Sequence, residues 1–211
     1  MRSFSFVDKL LTQVDHALTT IFTISSAARD NPADKVPEQT LSESECNNSI
    51  GCMRVNHTGE VCAQALYRGQ LLVSKTDKTR KMLEKSCEEE TDHLAWTKAR
   101  LNELGGRASY LNAFWYVNSY CIGVMAGLAG DQWSLGFVEE TEIQVAKHLE
   151  NHLKKISIHD EKSRAIIQKM RDEEIQHEQA AHKAGAVMLP VVIQSLMQLH
   201  AKVMTTVTYY F

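Results

Sequence analysis

The sequence predicts an all-α protein, a four-helix bundle around a two-metal carboxylate centre with additional amphipathic helices, and three observations predict it. The run Asn56-His57-Thr58-Gly59-Glu60 opens one helical segment. Glu90-x-x-His93 and Glu174-x-x-His177 lie on two others, and Glu142 sits on a fourth. Four carboxylates and two imidazoles, with one Glu from each of two helices and a Glu-x-x-His pair from each of the other two, are the ligands of a ferritin-like di-iron or di-manganese core.

Taken in order, the opening stretch MRSFSFVDKLLTQVDHALTTIF spaces Phe6, Leu10, Leu11, Val14, Leu18 and Ile21 among charged residues, the pattern of a helix lying on or docked to a surface. It has neither the unbroken apolar run and small-residue cleavage site of a secretory signal nor the Arg-rich bias of a mitochondrial presequence. Residues 27–54, with Asn31-Pro32, Pro37 and Ser and Asn through Ser49, read as a connector. The expected division is an N-terminal extension over 1–50 and a metal-binding domain over 51–211. A helix over 59–75 puts Glu60, Gln64, Tyr67 and Leu71 near one side, with Asn56 or Thr58 as N-cap. A second over 78–104 carries Leu83, Cys87, Glu90, Leu94 and Leu101 on one stripe and stops at Gly105-Gly106, where a C-cap takes left-handed backbone. These two are expected to form an antiparallel pair.

Residues 108–130 carry no charge. Their length approaches a bilayer span, but Asn112, Asn118, an early aromatic cluster and several glycines argue against a lone spanning helix. They read as a buried core helix or as one partly facing a membrane or a quinone-like ligand. Residues 135–158 and 160–188 are two further helices, the first with Glu142 and the second with Glu174 and His177. Pro190 then breaks the chain before a final amphipathic segment.

Residues three apart share a helix face, so each Glu-x-x-His pair directs a carboxylate and an imidazole to one point. Any of these acids alone reads as a solvated helix face. Together, four converging carboxylates would repel one another unless cations joined them. Glu60 precedes the first pair, and Glu142 the second, by nearly equal lengths of chain. Half-to-half symmetry therefore assigns Glu60 and His93 to one metal, Glu142 and His177 to the other, and Glu90 and Glu174 as bridges. Oxygen and nitrogen donors without thiolate suit iron or manganese, and iron where oxygen chemistry is needed. The outward imidazole nitrogens need partners, for which Asp92, Asp172 or a neighbouring Glu are candidates. Glu89, Glu139, Glu140, Glu173 and Glu178 read as solvated or as such outer groups. Tyr67 is placed to give a hydrogen bond or an electron near the metals, or simply to fill the core. His57 reads equally as a cap or as a functional group.

At 211 residues and 23.8 kDa the chain is long enough to bury one substantial core. A net charge of -3 and a pI near 6.3 leave no positive field for a phosphate backbone, so no nucleic-acid partner is expected. Five cysteines at irregular spacing, without CxxC, point to free thiols in a reducing compartment. No glycine-rich phosphate loop is present.

RVNHTGEVCAQALYRGQ over 54–70, EEETDHLAW over 88–96, the uncharged segment, the stretch 142–148 and RDEEIQHEQAA over 171–181 together resemble the Coq7 family, the demethoxyubiquinone hydroxylases of ubiquinone biosynthesis. The resemblance implies metal ligands at Glu60, Glu90, His93, Glu142, Glu174 and His177, an outer or substrate-side role for His148, and two iron ions per chain, ferrous when reduced. It implies monooxygenation of a 6-methoxy-3-methyl-2-polyprenyl-1,4-benzoquinol by dioxygen. The electrons would come from a reduced nicotinamide, a reductase or the quinol itself. It also implies peripheral attachment to the cytoplasmic side of the cell membrane, within a homo-oligomer or a ubiquinone-biosynthesis complex. Lys147, where some relatives have a second histidine, and Cys62, where glycine is common, depart from the family pattern without removing a ligand. A ferritin-like ferroxidase or iron-storage protein is the competing reading of the same ligands, and an assembly component with structural metals is the non-enzymatic one.

Overall fold

The computed structural model describes residues 6–23 and 26–211, and the first four-residue apolar spacing, Phe6 and Leu10, falls on side chains outside the described residues. Among the described residues every regular element is a helix. They are α1 (Phe6–Phe22), α2 (Glu43–Val73), α3 (Asp77–Glu103), α4 (Asn112–Leu128), α5 (Asp131–Lys155), α6 (Glu161–Ala184) and α7 (Val191–Tyr210). Helices α2 and α3 form one pair and α5 and α6 the other, joined through α3 against α6 and α2 against α5. The result is the ferritin-like four-helix bundle, with α4 packed along the outside of α2 and α7 laid across α2 and α5.

Local chemistry sets the ends. Helix α2 begins at Glu43, well ahead of the expected Gly59, because Ser42 and Glu45 form a capping box: Glu45 N–H donates to Ser42 Oγ at 3.4 Å, and Ser42 N–H donates to Glu45 Oε2 at 2.9 Å. Asn56 and Thr58 are therefore mid-helix residues rather than N-caps. Thr58 donates to Asn112 Oδ1 at 2.8 Å, tying α2 to α4. Thr76 caps α3, and the Asp160 carboxylate accepts from Ser163 N–H at 3.1 Å to cap α6. Helix α3 ends at Gly105, whose φ of 72° is the left-handed turn anticipated there, while Gly185, at φ 111°, ends α6 before Met188.

The uncharged segment is packed into the protein on one face and leaves an apolar face exposed on the other. Toward α2 it is built of small residues, and a Cβ on Gly123 would overlap the Leu66 carbonyl oxygen while one on Gly69 would overlap that of Tyr120. Away from α2, Phe114, Val117, Met125 and Leu128 are exposed. No helix among the described residues is long and apolar enough to cross a membrane. Helix α1 docks through Ala17 and Ile21 against the cluster of Val61, Ala65, Leu94 and Tyr116 and leaves Leu11, Val14, Leu18 and Phe22 exposed.

Two apolar clusters fill the bundle at opposite ends. One contains Met53, Trp96, Leu101, Leu149, Ile166, Ile167 and Met170; the other contains Leu66, Tyr67, Leu83, Cys87, Val138 and Ala181. On each of the four core helices the acidic residues singled out above fall between the residues given to one cluster and those given to the other. The bundle is thus apolar at both ends and polar at one level between them.

Candidate metal centre

At that level Glu60 on α2, Glu90 and His93 on α3, Glu142 on α5, and Glu174 and His177 on α6 turn inward and are buried. They resolve into two groups, Glu60, Glu90, His93 and Glu174, and Glu90, Glu142, Glu174 and His177, with one ligand atom of each residue within 4.8 Å of the others in its group. Glu90 and Glu174 belong to both.

Each imidazole offers Nδ1 to the carboxylates. His93 Nδ1 lies 3.2 Å from Glu90, 3.4 Å from Glu174 and 3.6 Å from Glu60. His177 Nδ1 lies 3.1 Å from Glu174, 3.4 Å from Glu90 and 3.8 Å from Glu142. The outward nitrogens are held crosswise between helices: His93 Nε2–H donates to Glu173 of α6 at 2.8 Å, and His177 Nε2–H donates to Glu89 of α3 at 2.7 Å. A proton fixed on Nε2 leaves the Nδ1 lone pair free for a metal. Asp92 and Asp172 do not take this role. Asp92 accepts from the Arg29 side chain and from Ala28 N–H, and Asp172 pairs with Arg171.

Burial, then the Glu90 charge, holds the Glu60 carboxyl well above its ordinary range, and burial, then Glu174, does the same to Glu142. Burial would raise Glu90 too, but a hydrogen bond with Glu60 and the charge of His93 outweigh it and hold Glu90 well below. Burial would lower His177, but its hydrogen bond to Glu174 and the close approach of the Glu90 and Glu142 carboxylates push it up to about 12. Carboxylates and imidazoles packed this closely perturb one another's charge strongly, and divalent cations bound among them would relieve that repulsion. Glu90 Oε1 is buried without a hydrogen-bond partner. An orphaned carboxylate oxygen amid oxygen and imidazole donors fits a hard or borderline divalent metal in each group.

Tyr67 donates its hydroxyl to Glu142, on the His177 side rather than the Glu60 side. His57 is neither cap nor ligand; buried mid-helix, it meets Thr97 Oγ1 at 3.2 Å, and burial pushes it down to about 4. His148 is set away from both groups. Its ring meets His152 at 4.0 Å, and it borders a cavity of about 630 Å³ with Val55, Asn151, Tyr209 and Tyr210. His152 Nδ1–H donates to Asn56 Oδ1 at 2.7 Å.

Glu89 and Glu173, two of the five acids read from the sequence as solvated or outer groups, are the imidazole partners; the signal that singles them out is the repeat Glu89-Glu90-x-x-His93 and Glu173-Glu174-x-x-His177, in which the first Glu of each run holds the imidazole of the other. Arg29, which reaches both Asp92 and Glu173, gave no signal because it lies in the Pro-containing connector.

The model of the family described as ubiquinone biosynthesis protein COQ7 matches residues 48–208. A 3-demethoxyubiquinol 3-hydroxylase of Coxiella burnetii is 52% identical over 209 residues, covering 99% of this chain and 97% of the relative. Proteins of the same name from Polynucleobacter necessarius and Chromobacterium violaceum are 50% and 47% identical, each covering 96% of this chain and 98% of the relative.

Proposed function

The chain belongs to the ubiquinone biosynthesis COQ7 family, and from that premise we propose that it is a 3-demethoxyubiquinol 3-hydroxylase, a di-iron, dioxygen-dependent monooxygenase. The observation that carries the chemistry is the pair of buried ligand groups sharing Glu90 and Glu174. Two iron ions held there, one with Glu60 and His93 and the other with Glu142 and His177, would supply dioxygen activation when reduced.

The reaction balances as a monooxygenation. One oxygen atom of O2 replaces a ring hydrogen with hydroxyl, and the other leaves as water with two electrons and two protons from the donor. The residues of this chain fix the geometry around that event. Glu173 and Glu89 hold the two imidazoles in the tautomer that presents Nδ1. Tyr67 keeps a hydroxyl proton on Glu142, and its own pKa is held well above the ordinary value, by burial first and then by the surrounding carboxylates. The two apolar clusters exclude water from either end of the polar level.

The substrate's polyprenyl tail calls for delivery from a lipid phase. Support for peripheral attachment comes from one side of the molecule. Helix α4 is flanked by α1, through Gln13 and Tyr120, and by α7, through Asn118 and His200, and all three leave apolar side chains exposed. The ferroxidase and iron-storage alternative gains nothing from the relatives, which are named as hydroxylases.

Purified protein given ferrous iron, demethoxyubiquinol, a reductant and ¹⁸O2 is expected to release a ring product carrying one ¹⁸O atom. Oxygen consumption with ferric iron accumulating and no labelled ring would favour ferroxidase chemistry instead.

A further inference from the structure

The Glu-Glu-x-x-His repeat makes the two metal positions formally equivalent, but their surroundings are not. Glu173, which holds His93, is itself gripped. Arg29 donates through Nη1 to Glu173 and through Nε to Asp92, and Lys169 Nζ lies 2.8 Å from Glu173. Asp92 also accepts from Ala28 N–H at 2.7 Å, so the segment carrying Arg29 is pinned by its backbone as well. The Arg29 guanidinium sits 5.0 Å above the Trp96 ring, whose centroid is 5.5 Å from that of His93. The His93 imidazole is thus held at its outer nitrogen and packed beside the tilted Trp96 ring.

Among the described residues, His177 has no such support. Its partner Glu89 has a side chain 27% exposed, and the cation beside Glu89 is Lys85, 74% exposed and 3.3 Å away. A small cavity of about 60 Å³, lined by Lys85, Glu89, Glu173, Gln176, His177 and Ala180, lies at this imidazole.

We propose that Arg29 is a positioning residue that locks the metal site of Glu60 and His93, and that the site of Glu142 and His177 is the exchangeable one, loaded and emptied past Glu89. The inference rests on the two-metal reading above. A metal leaves when its imidazole swings away, and that swing requires the outer nitrogen to give up its carboxylate. Glu89 can follow His177 toward solvent, whereas Glu173 is fixed by two cations and cannot follow His93. Groups of this outer kind change metal affinity by about 10–100-fold when removed. A planar guanidinium that spans two carboxylates holds both in one geometry, which an ammonium does not.

The test is loss of ferrous iron to a coloured chelator under anaerobic conditions, starting from protein loaded with two irons, with helicity followed in parallel. Wild type is expected to lose one iron quickly and the second at least about tenfold more slowly. Arg29→Gln is expected to speed the slow phase by about tenfold and leave the fast phase alone, with Arg29→Lys between it and wild type. Glu89→Gln is expected to speed only the fast phase, and it keeps the proposal testable should Arg29→Gln fail to fold. A single phase in wild type, or Arg29→Gln and Glu89→Gln speeding the same phase, would overturn the assignment. Wild type that binds no iron would remove the two-metal reading and this inference with it.

Discussion

At the scale of single residues the centre is an argument about charge. Four buried carboxylates this close repel one another unless protons or metals join them, and Glu90 and Glu174 belong to both candidate ligand groups while Glu60 and Glu142 belong to one each. Glu90→Ala or Glu174→Ala is therefore expected to abolish binding of both irons, and Glu60→Ala or Glu142→Ala to weaken one; iron counted per chain checks this, and two irons retained by Glu174→Ala would contradict the bridging role. A second residue-scale prediction concerns His152. Burial, then the nearby His148 and Lys155, pushes its pKa down to about 2, far below the ordinary 6.5. Its contribution to stability is complete above pH 6.5 and is lost as acid protonates the unfolded imidazole first, with a slope of up to about 1.4 kcal/mol per pH unit. His152→Gln keeps a donor for Asn56 without the titration. The advantage of wild type over this variant is expected to shrink from pH 7 to pH 5 in denaturant unfolding, and parallel pH profiles would count against it. The convergence of these six side chains was legible because helical spacing dictates which side chains share a face. The crosswise partners Glu89 and Glu173 were not resolved from the alternatives, since i,i+3 logic describes one helix and these bonds run between two.

At the scale of elements, the core helices were readable from apolar periodicity and the end of α3 from Gly105-Gly106, whereas α6, expected to run to 188 before Pro190, stops at Gly185. The start of α2 was not readable, because Ser and Asn over 44–49 look like loop until the Ser42–Glu45 capping box is weighed. The uncharged segment could not be assigned to core or surface from hydropathy alone, because it serves both: glycines let α4 approach the α2 backbone on one side, and its large apolar residues lie on the other. Gly123→Ala would force a methyl group against the Leu66 carbonyl oxygen, and backbone cannot yield as a side-chain tip can. The expected cost is about 1–3 kcal/mol in chemical unfolding, as for overpacked cores. An unchanged midpoint would show that the two helices are not in this close contact.

At the scale of the whole molecule, the bundle gathers its buried carboxylates and imidazoles at one level, and most of the exposed large apolar side chains lie on α1, α4 and α7, outside that bundle. A shallow membrane dock through this side predicts that wild type floats with vesicles of phosphatidylethanolamine and phosphatidylglycerol. Val117→Glu with Met125→Glu, both exposed positions, is expected to float several-fold less while keeping its helicity and iron. Equal flotation would move the dock elsewhere. The central claim is that the two ligand groups hold the irons that hydroxylate the quinol ring, and its most direct test is one sample carried through two readings. Protein is loaded anaerobically with ferrous iron, freed of excess, counted for iron, and then given demethoxyubiquinol and oxygen, beside Glu174→Ala treated identically. Two irons per chain with a ring product heavier by one oxygen in wild type, and neither in the variant, is the predicted result; ring hydroxylation by protein that holds no iron would contradict it.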